Sequence, residues 1–255
     1  MTSGKYLCRF SLLLGALLAV AAMEPPSQPI VLSPEQAAKE GRALVDEMLS
    51  TMPQANTTTG MMTIRNKKFT QFPINFQTVL TPTNWLSVYE AKEPTGTWKL
   101  SIVHNGKSPS IYKLVFLAAN NAAEMESALG SNDGIEGRPF AGSDFSMGDL
   151  GLEFLHWPQQ NLLQKEMKRS RSCRVLESIN PHPVKGGYSK VKSWVDAESD
   201  GIVLAEAYDV NGQKIKEFIP KDFSKVNGQW QLEEMQISNV QTDSRTTVKF
   251  NLKQQ

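Results

Sequence analysis

The sequence predicts an α+β fold dominated by one curved antiparallel sheet of about eleven strands. From Thr57 onward, apolar and polar residues alternate with a period of two, as in residues 74–80, which is typical of strands that bury one face. Residues 188–250 add short strand-like runs separated by turns. The pairs Asn211-Gly212 and Asn227-Gly228 are strong hairpin signals because they tolerate positive φ angles. A sheet of this size tends to curl or close on itself.

Residues 1–22 have the pattern of a cleaved signal peptide. Lys5 and Arg9 precede an apolar run over residues 11–22, and Ala19-Val20-Ala21 supplies the small residues of a cleavage site. The run is short for a membrane span, although an uncleaved anchor is the alternative. Cleavage near residue 22 removes two basic residues and no acidic ones, so the net charge changes from +1 to −1. This near-neutral charge argues against nucleic-acid binding.

We expect residues 23–255 to form a single domain, since no Pro-, Gly- or Ser-rich linker divides them. Cys8 lies in the predicted signal peptide, which leaves Cys173 alone and excludes an internal disulfide. The fold must therefore be stabilised by burial of apolar side chains. The role of Cys173 is open, although its place in a strand is typical of ordinary packing.

The first element after the signal peptide is an amphipathic helix over residues 34–52. Ser33 is placed to cap it, Pro34 occupies its first position and Gln36 completes a capping box. Leu44, Val45 and Met48 belong to its apolar stripe, which must cover a partner surface. The helix is expected to end before Pro53.

The remaining elements follow from periodicity and turn residues. Asn121–Leu129 is expected to be a short helix, and Ser146 with Asp149 predicts the start of another that runs toward Leu155. Near the C-terminus, Trp230 and Leu232 occupy even-numbered positions, whereas Met235 and Ile237 occupy odd-numbered positions, so a regular strand would place the two pairs on opposite faces. A β-bulge at Glu233-Glu234 would place all four on one face. Strands are predicted at 59–65, 74–81, 85–91, 98–104, 111–117, 161–168, 172–179, 191–195 and 202–208, followed by the terminal meander.

No catalytic pattern stands out. The histidines His104, His156 and His182 are scattered without ligand spacing, so neither a metal site nor a cofactor is predicted. Ser143 in Gly142-Ser143-Asp144 permits a hydrolase hypothesis, but helix capping explains this segment better. The sequence therefore favours a non-enzymatic binding protein. It leaves open whether side chains or a ligand fill the curled sheet.

The second half of the chain, from about residue 140 to 251, resembles the LolA-like family of outer-membrane lipoprotein-sorting and carrier proteins. The match consists of turn and strand signatures, whereas the first half agrees only in the order of its elements. The matching residues are Gly142-Ser143-Asp144-Phe145-Ser146, Asp149-Leu150, Tyr188, Trp194-Val195-Asp196, Leu204-Ala205-Glu206-Ala207-Tyr208, Gly212-Gln213-Lys214-Ile215-Lys216, Asn227-Gly228-Gln229-Trp230 and Glu234-Met235.

The resemblance implies an unclosed antiparallel β-barrel with a helical lid over an apolar cavity. It also implies a periplasmic carrier that binds lipid or lipoprotein acyl chains noncovalently and transfers them toward the outer membrane. Such a carrier would contact an inner-membrane transporter and an outer-membrane acceptor transiently. The alternative is an accessory module of an inner-membrane lipid exporter whose interior is filled.

Two sets of residues are expected to form the binding site. The lid residues are Leu44, Val45 and Met48 of the first helix. We expect Leu100→Glu to lower lipid loading without unfolding the protein. The predicted cavity residues are Phe76, Leu86, Val88, Leu100, Ile102, Phe116, Trp194, Leu204, Met235 and Ile237.

Overall fold

The computed structural model describes residues 32–119, 124–129, 134–226 and 228–252. The predicted signal peptide and Asn227 lie outside these ranges. The described residues contain thirteen strands, two α-helices and two short 3₁₀ helices. The α-helices are α1 (Pro34–Ser50) and α2 (Met147–Gly151), and the 3₁₀ helices are Ile135–Gly137 and Glu153–His156. The strands are β1 (Asn56–Arg65), β2 (Phe69–Leu80), β3 (Trp85–Glu93), β4 (Gly96–Asn105), β5 (Ser108–Ala118), β6 (Glu124–Leu129), β7 (Gln159–Lys168), β8 (Arg171–Ile179), β9 (Lys190–Asp196), β10 (Ile202–Tyr208), β11 (Lys214–Val226), β12 (Gln229–Asn239) and β13 (Ser244–Phe250).

All thirteen strands belong to one antiparallel sheet built from two meanders. The first meander is β1–β6 and the second is β7–β13, and pairing of β1 with β13 joins them. β6 and β7 form the two outer edges of the described sheet, so the barrel does not close. The predicted α+β class and the unclosed antiparallel barrel with a helical lid are therefore confirmed.

Helix α1 begins and packs as its sequence predicts. The Gln36 N–H donates to Ser33 Oγ, and the Ser33 N–H donates to Gln36 Oε1, which completes the capping box. Leu44 and Val45 are buried, and Gly41 lies against the backbone of β7 at Gln160. Because glycine has no Cβ, the helix axis can approach this edge strand closely.

Two apolar clusters fill most of the concave face of the sheet. The first lies under α2 and contains Leu100, Ile102, Met147 and Ile237. The second lies under α1 and contains Leu44, Val45, Leu176 and Val195. Phe218 is packed against both clusters, so they are contiguous. The segment between β6 and β7 supplies α2 and both 3₁₀ helices to this interior.

The structure corrects one element that the sequence suggests. Asn121–Leu129 does not form a helix, because Glu124–Leu129 is strand β6 and pairs with β5 from Leu117 to Tyr112. Residues 121–123 of this prediction lie outside the described residues. With β6 the described sheet has thirteen strands, compared with the expected eleven. None of the helices in the described ranges combines the length and apolarity needed to cross a membrane.

Candidate functional site

An apolar groove opens at the end of the sheet where β1 and β12 begin. Its volume is about 300 Å³, near the lower limit of roughly 300–1,000 Å³ for small-molecule pockets. Its apolar wall comes from four strands and from Leu252, two residues after the end of β13. These wall residues are Phe76, Tyr89, Trp230, Leu232, Met235, Phe250 and Leu252. This end of the barrel therefore presents an open apolar surface.

A β-bulge brings the wall residues of β12 onto one face. The pairs Phe223–Leu232 and Pro220–Met235 bracket a register irregularity at Lys221 and Glu233. Each strand has one unpaired residue here, Lys221 on β11 and Glu233 on β12. The irregularity reverses the alternation of β12, so Leu232 and Met235 both reach the groove. The bulge predicted at Glu233-Glu234 is confirmed. Without it, Leu232 and Met235 would lie on opposite faces of the strand.

The mouth of the groove carries uncharged polar side chains. Pro53 and Gln54, which connect α1 to β1, lie here with Asn56, Thr58 and Gln231. Deeper in the groove, burial raises the pKa of the Tyr89 hydroxyl, which therefore stays protonated. The Tyr89 ring stacks obliquely on Phe76, with 4.8 Å between centroids. The groove thus offers apolar surface and neutral hydrogen-bonding groups.

The interior beneath α1 is filled. The space among Phe154, Tyr188, Val191 and Ala205 has a volume of only about 20 Å³, enough for about one water molecule. The expected lid residues Leu44 and Val45 are buried in this cluster, and Met48 is packed at its margin. The question that the sequence left open therefore has two answers, since the interior is packed beneath α1 and open at the groove.

A second cavity lies where the two halves of the open barrel approach each other. It has a volume of about 430 Å³ and is bordered by Pro109, Glu153, His156, Asn180 and His182. The Glu153 carboxylate is buried and accepts a hydrogen bond from the Tyr112 hydroxyl at 2.8 Å. Burial lowers the pKa of His156 below its ordinary value. The lining is more polar than that of the groove.

Helix α1 is fastened beside this junction by polar contacts. Arg42 donates hydrogen bonds to the carbonyl oxygens of Trp157 and Pro158, at 2.7 and 2.9 Å. Asp46 forms an ion pair with Lys107 of the β4–β5 turn at 2.7 Å. Nearby, burial lowers the pKa of His104 to about 4, and its Nε2 lies 3.1 Å from Ser87 Oγ. These contacts hold α1 to both sides of the open barrel.

The structure brings only part of the predicted cavity set to the groove. Phe76 and Met235 line it. Leu100, Ile102 and Ile237 are fully buried in the adjacent core, and Phe116 packs on Trp98 with 4.6 Å between ring centroids. A glutamate at position 100 would be buried in packed apolar surroundings. Leu100→Glu is therefore expected to unfold the protein, contrary to the expectation from the sequence that it spares the fold.

Leu86 and Val88 lie on the opposite face of β3 from the groove. The inward residues of this strand are Ser87, Tyr89 and Ala91, which are buried. The outward residues include the more apolar Leu86 and Val88, which are half-exposed. Hydrophobicity alone therefore indicates the wrong face of β3.

Trp194 and Leu204 also point away from the groove. They form a small cluster with Cys173 and Val175, whereas Val191 and Val195 of the same strand β9 face α1. The Lys168 ammonium lies 4.3 Å from the centre of the Trp194 ring and covers it. The buried Cys173 belongs to this outer cluster. The outer face thus has an apolar core of its own.

The Gly142–Ser146 segment has a packing role in the structure. Ser143 Oγ accepts from the Phe145 N–H at 3.2 Å and donates to its carbonyl oxygen at 3.4 Å. Asp144 accepts from Thr246 Oγ1 at 2.8 Å and from Ser244 Oγ, which ties the segment to β13. Both hydrogen bonds join the Ser143 hydroxyl to the backbone of Phe145, two residues further along the same turn.

Several groove residues were not selected from the sequence. The predicted cavity set lacks Tyr89, Trp230, Leu232, Phe250 and Leu252, all of which line the groove. Of these, Trp230 and Leu232 belong to the alternation that predicts the bulge. The bulge was the usable signal, since it predicts that Leu232 and Met235 share a face. Within the described residues, no three His, Cys, Asp or Glu side chains converge as a metal site would require.

The architecture is thus an open antiparallel barrel with a helix packed over one half and an apolar groove at one end. A family model described as an uncharacterized protein matches residues 131–254. The search of curated proteins finds no match.

Solved structures from three bacteria share this fold. A putative outer membrane lipoprotein-sorting protein domain from Vibrio parahaemolyticus is 17% identical with a TM-score of 0.68, over 84% of this chain and 92% of that one. A DUF1329 family protein from Desulfovibrio piger is 16% identical with a TM-score of 0.65, over 84% and 91%. A LolA superfamily protein from Nitrosomonas europaea is 16% identical with a TM-score of 0.56, over 85% and 92%. The fold of this chain is LolA-like, as the sequence resemblance predicts.

Proposed function

We propose that this protein is a periplasmic carrier that binds a lipid or lipoprotein acyl chain noncovalently in the groove and transfers it toward the outer membrane. The observation that carries the proposal is the open apolar groove of about 300 Å³ beside the packed interior beneath α1. The fold, shared with a lipoprotein-sorting domain and a LolA superfamily protein, supports the same class of ligand. Export through a signal peptide cleaved near residue 22 completes the proposal.

The energetics suit reversible binding. Each buried methylene contributes about 0.8 kcal/mol, so ten buried methylenes contribute about 8 kcal/mol before the costs of association are subtracted. Such a balance gives binding no tighter than about micromolar. A carrier needs this range, since it must release its cargo. In this proposal the protein itself acts without catalysis or cofactor and meets a transporter at the inner membrane and an acceptor at the outer membrane only transiently.

Occupancy of the groove can be tested directly. Denaturing mass spectrometry of gently purified protein should reveal acyl lipid from the host. Leu232→Glu places a carboxylate on the half-buried groove wall and should abolish lipid loading while leaving the fold intact. Leu163→Glu on β7 is the matched control, because Leu163 is exposed and outside the groove. Lipid-free native protein, or equal loading of both variants, would contradict the proposal.

A second candidate is an accessory module of an inner-membrane lipid exporter. It is favoured by the filled interior beneath α1, where only about 20 Å³ is open. This candidate predicts no copurified lipid and no binding of a soluble acyl probe. The same mass-spectrometric experiment therefore separates the two functions.

A further inference from the structure

The hairpin of β11 and β12 extends beyond its neighbours in the sheet. β10 pairs with β11 only as far as Phe218, and β13 pairs with β12 only from Glu234 onward. We call residues 222–226 and 228–233 the arm. In the arm, the described parts of β11 and β12 pair with each other and with no third strand. A two-stranded ribbon is only marginally stable in water on its own, so this segment is weakly supported.

The arm exposes two large aromatic side chains on the side of the groove. Phe223 is 50% exposed and Trp230 is 71% exposed. Phe223 is the cross-strand partner of Leu232, and Trp230 is the partner of Lys225. Cross-strand partners share a face, and both Leu232 and Trp230 line the groove. The aromatic face of the arm therefore continues the apolar wall of the groove into solvent.

The charges of the arm indicate the kind of surface that it fits. At its base, Lys221 pairs with Glu234 at 2.9 Å and Lys249 lies 3.7 Å from Glu233. Nearer the tip, Lys225 is exposed directly opposite Trp230. An exposed tryptophan beside a lysine suits the headgroup region of a bilayer, where an indole ring and an ammonium group both find partners. Asp222 and Glu233 offset the positive charge, so binding is driven by the aromatic rings.

We propose that the arm docks on a lipid bilayer through Phe223 and Trp230, so that the groove opens onto the membrane surface. This inference rests on the proposed function, because it identifies the surface from which an acyl chain enters the groove. Docking needs no large rearrangement, since both rings are already exposed. It also explains why the apolar wall of the groove extends beyond the groove itself.

Vesicle flotation tests the proposal with full-length protein and vesicles of phosphatidylethanolamine and phosphatidylglycerol. Phe223→Gln or Trp230→Gln should each lower the partition coefficient about tenfold, as the loss of one large buried aromatic surface predicts. Phe69→Gln is the matched control, since Phe69 is 63% exposed at the opposite end of the sheet. Flotation that is absent, or equal for all variants, would overturn the proposal.

A vesicle-free assay separates this proposal from the proposed function. Binding of dansyl-undecanoic acid reports on the groove, and Phe223→Gln should leave its affinity unchanged because Phe223 is outside the groove lining. Arm-dependent flotation without probe binding by the native protein would support the arm and contradict the acyl-carrier function. Probe binding without arm-dependent flotation would support the acyl-carrier function and contradict docking of the arm on a bilayer. If Phe223 and Trp230 contact a protein partner and not lipid, the native protein would bind the probe but show no arm-dependent flotation.

Discussion

Replacement of Gly41 by alanine tests how closely α1 is seated on β7. A Cβ at position 41 would lie 2.5 Å from the Gln160 carbonyl oxygen and 2.7 Å from the Leu162 nitrogen. Normal contacts of a carbon atom lie near 3.5 Å, so the helix would have to retreat by about 1 Å. The obstructing atoms belong to backbone and cannot move aside as a flexible side chain can.

Two opposing effects determine the expected change in stability. Alanine is favoured over glycine within a helix by about 1 kcal/mol, whereas overpacking a well-filled site costs about 1–3 kcal/mol. Because the clash is with backbone, we expect the steric effect to dominate. Gly41→Ala should therefore lower the free energy of unfolding by about 1–2 kcal/mol. An unobstructed helix position would show the opposite sign.

Urea unfolding followed by tryptophan fluorescence measures this change. Ala43→Gly, at an exposed position of the same helix, should cost about 1 kcal/mol through helix propensity alone. Hydrogen exchange of α1 should increase more in Gly41→Ala than in this control if the helix is displaced from β7. A Gly41→Ala protein as stable as the native one would refute the reasoning.

Three further predictions concern groups outside the groove. Burial lowers the pKa of His104 from 6.5 to about 4, so between these values the unfolded chain binds a proton that the folded protein does not. The folded state is therefore destabilised as the pH falls, and titration of His104 contributes about 3 kcal/mol to this loss between pH 7 and pH 4. Urea unfolding at both pH values should show that His104→Gln removes this contribution. Tyr112→Phe removes the hydroxyl that donates to the buried Glu153, and chemical denaturation should show a loss of about 1–3 kcal/mol. Ser146→Ala removes the acceptor of the Asp149 N–H at the start of α2 and should cost about 0.5–2 kcal/mol in the same assay.

Each of these has a result that would contradict it. A pH profile of unfolding that is identical for native protein and His104→Gln would show that this ring does not titrate differently in the two states. Tyr112→Phe with native stability would mean that the Glu153 carboxylate has sufficient partners without it. Ser146→Ala with unchanged stability would show that the fold holds α2 without its cap.

Local signals in the sequence predict the helices that have caps. Ser33 with Gln36, and Ser146 with Asp149, define both helix starts because each side chain satisfies a backbone N–H of the first turn. Leu232 and Met235 are three positions apart, so a bulge between them is needed to place both side chains on one face. These features depend on residues within a few positions of one another, so they can be read without knowing the tertiary structure.

Features that depend on distant contacts were harder to predict. The alanines and methionine of residues 121–129 favour a helix, yet pairing with β5 makes Glu124–Leu129 a strand. The face of β3 was also misread because its inward residues, Ser87 and Tyr89, are more polar than Leu86 and Val88 on its outside. On β9, Trp194 has an apolar environment on the outer face. Where both faces of a strand carry apolar residues, alternation cannot tell which one faces the interior.

The pairing of β1 with β13 has a consequence for how the chain folds. Gly60 meets Phe250 and Arg65 meets Arg245, so the contact that unites the two meanders joins distant ends of the described sequence. Each meander can form from local hairpins, but joining them requires closure of a very long loop. A ribosome synthesises β13 after the other twelve described strands. The pairing of β1 with β13 therefore cannot form, and the sheet stays divided into two meanders, until Ser244–Phe250 has emerged.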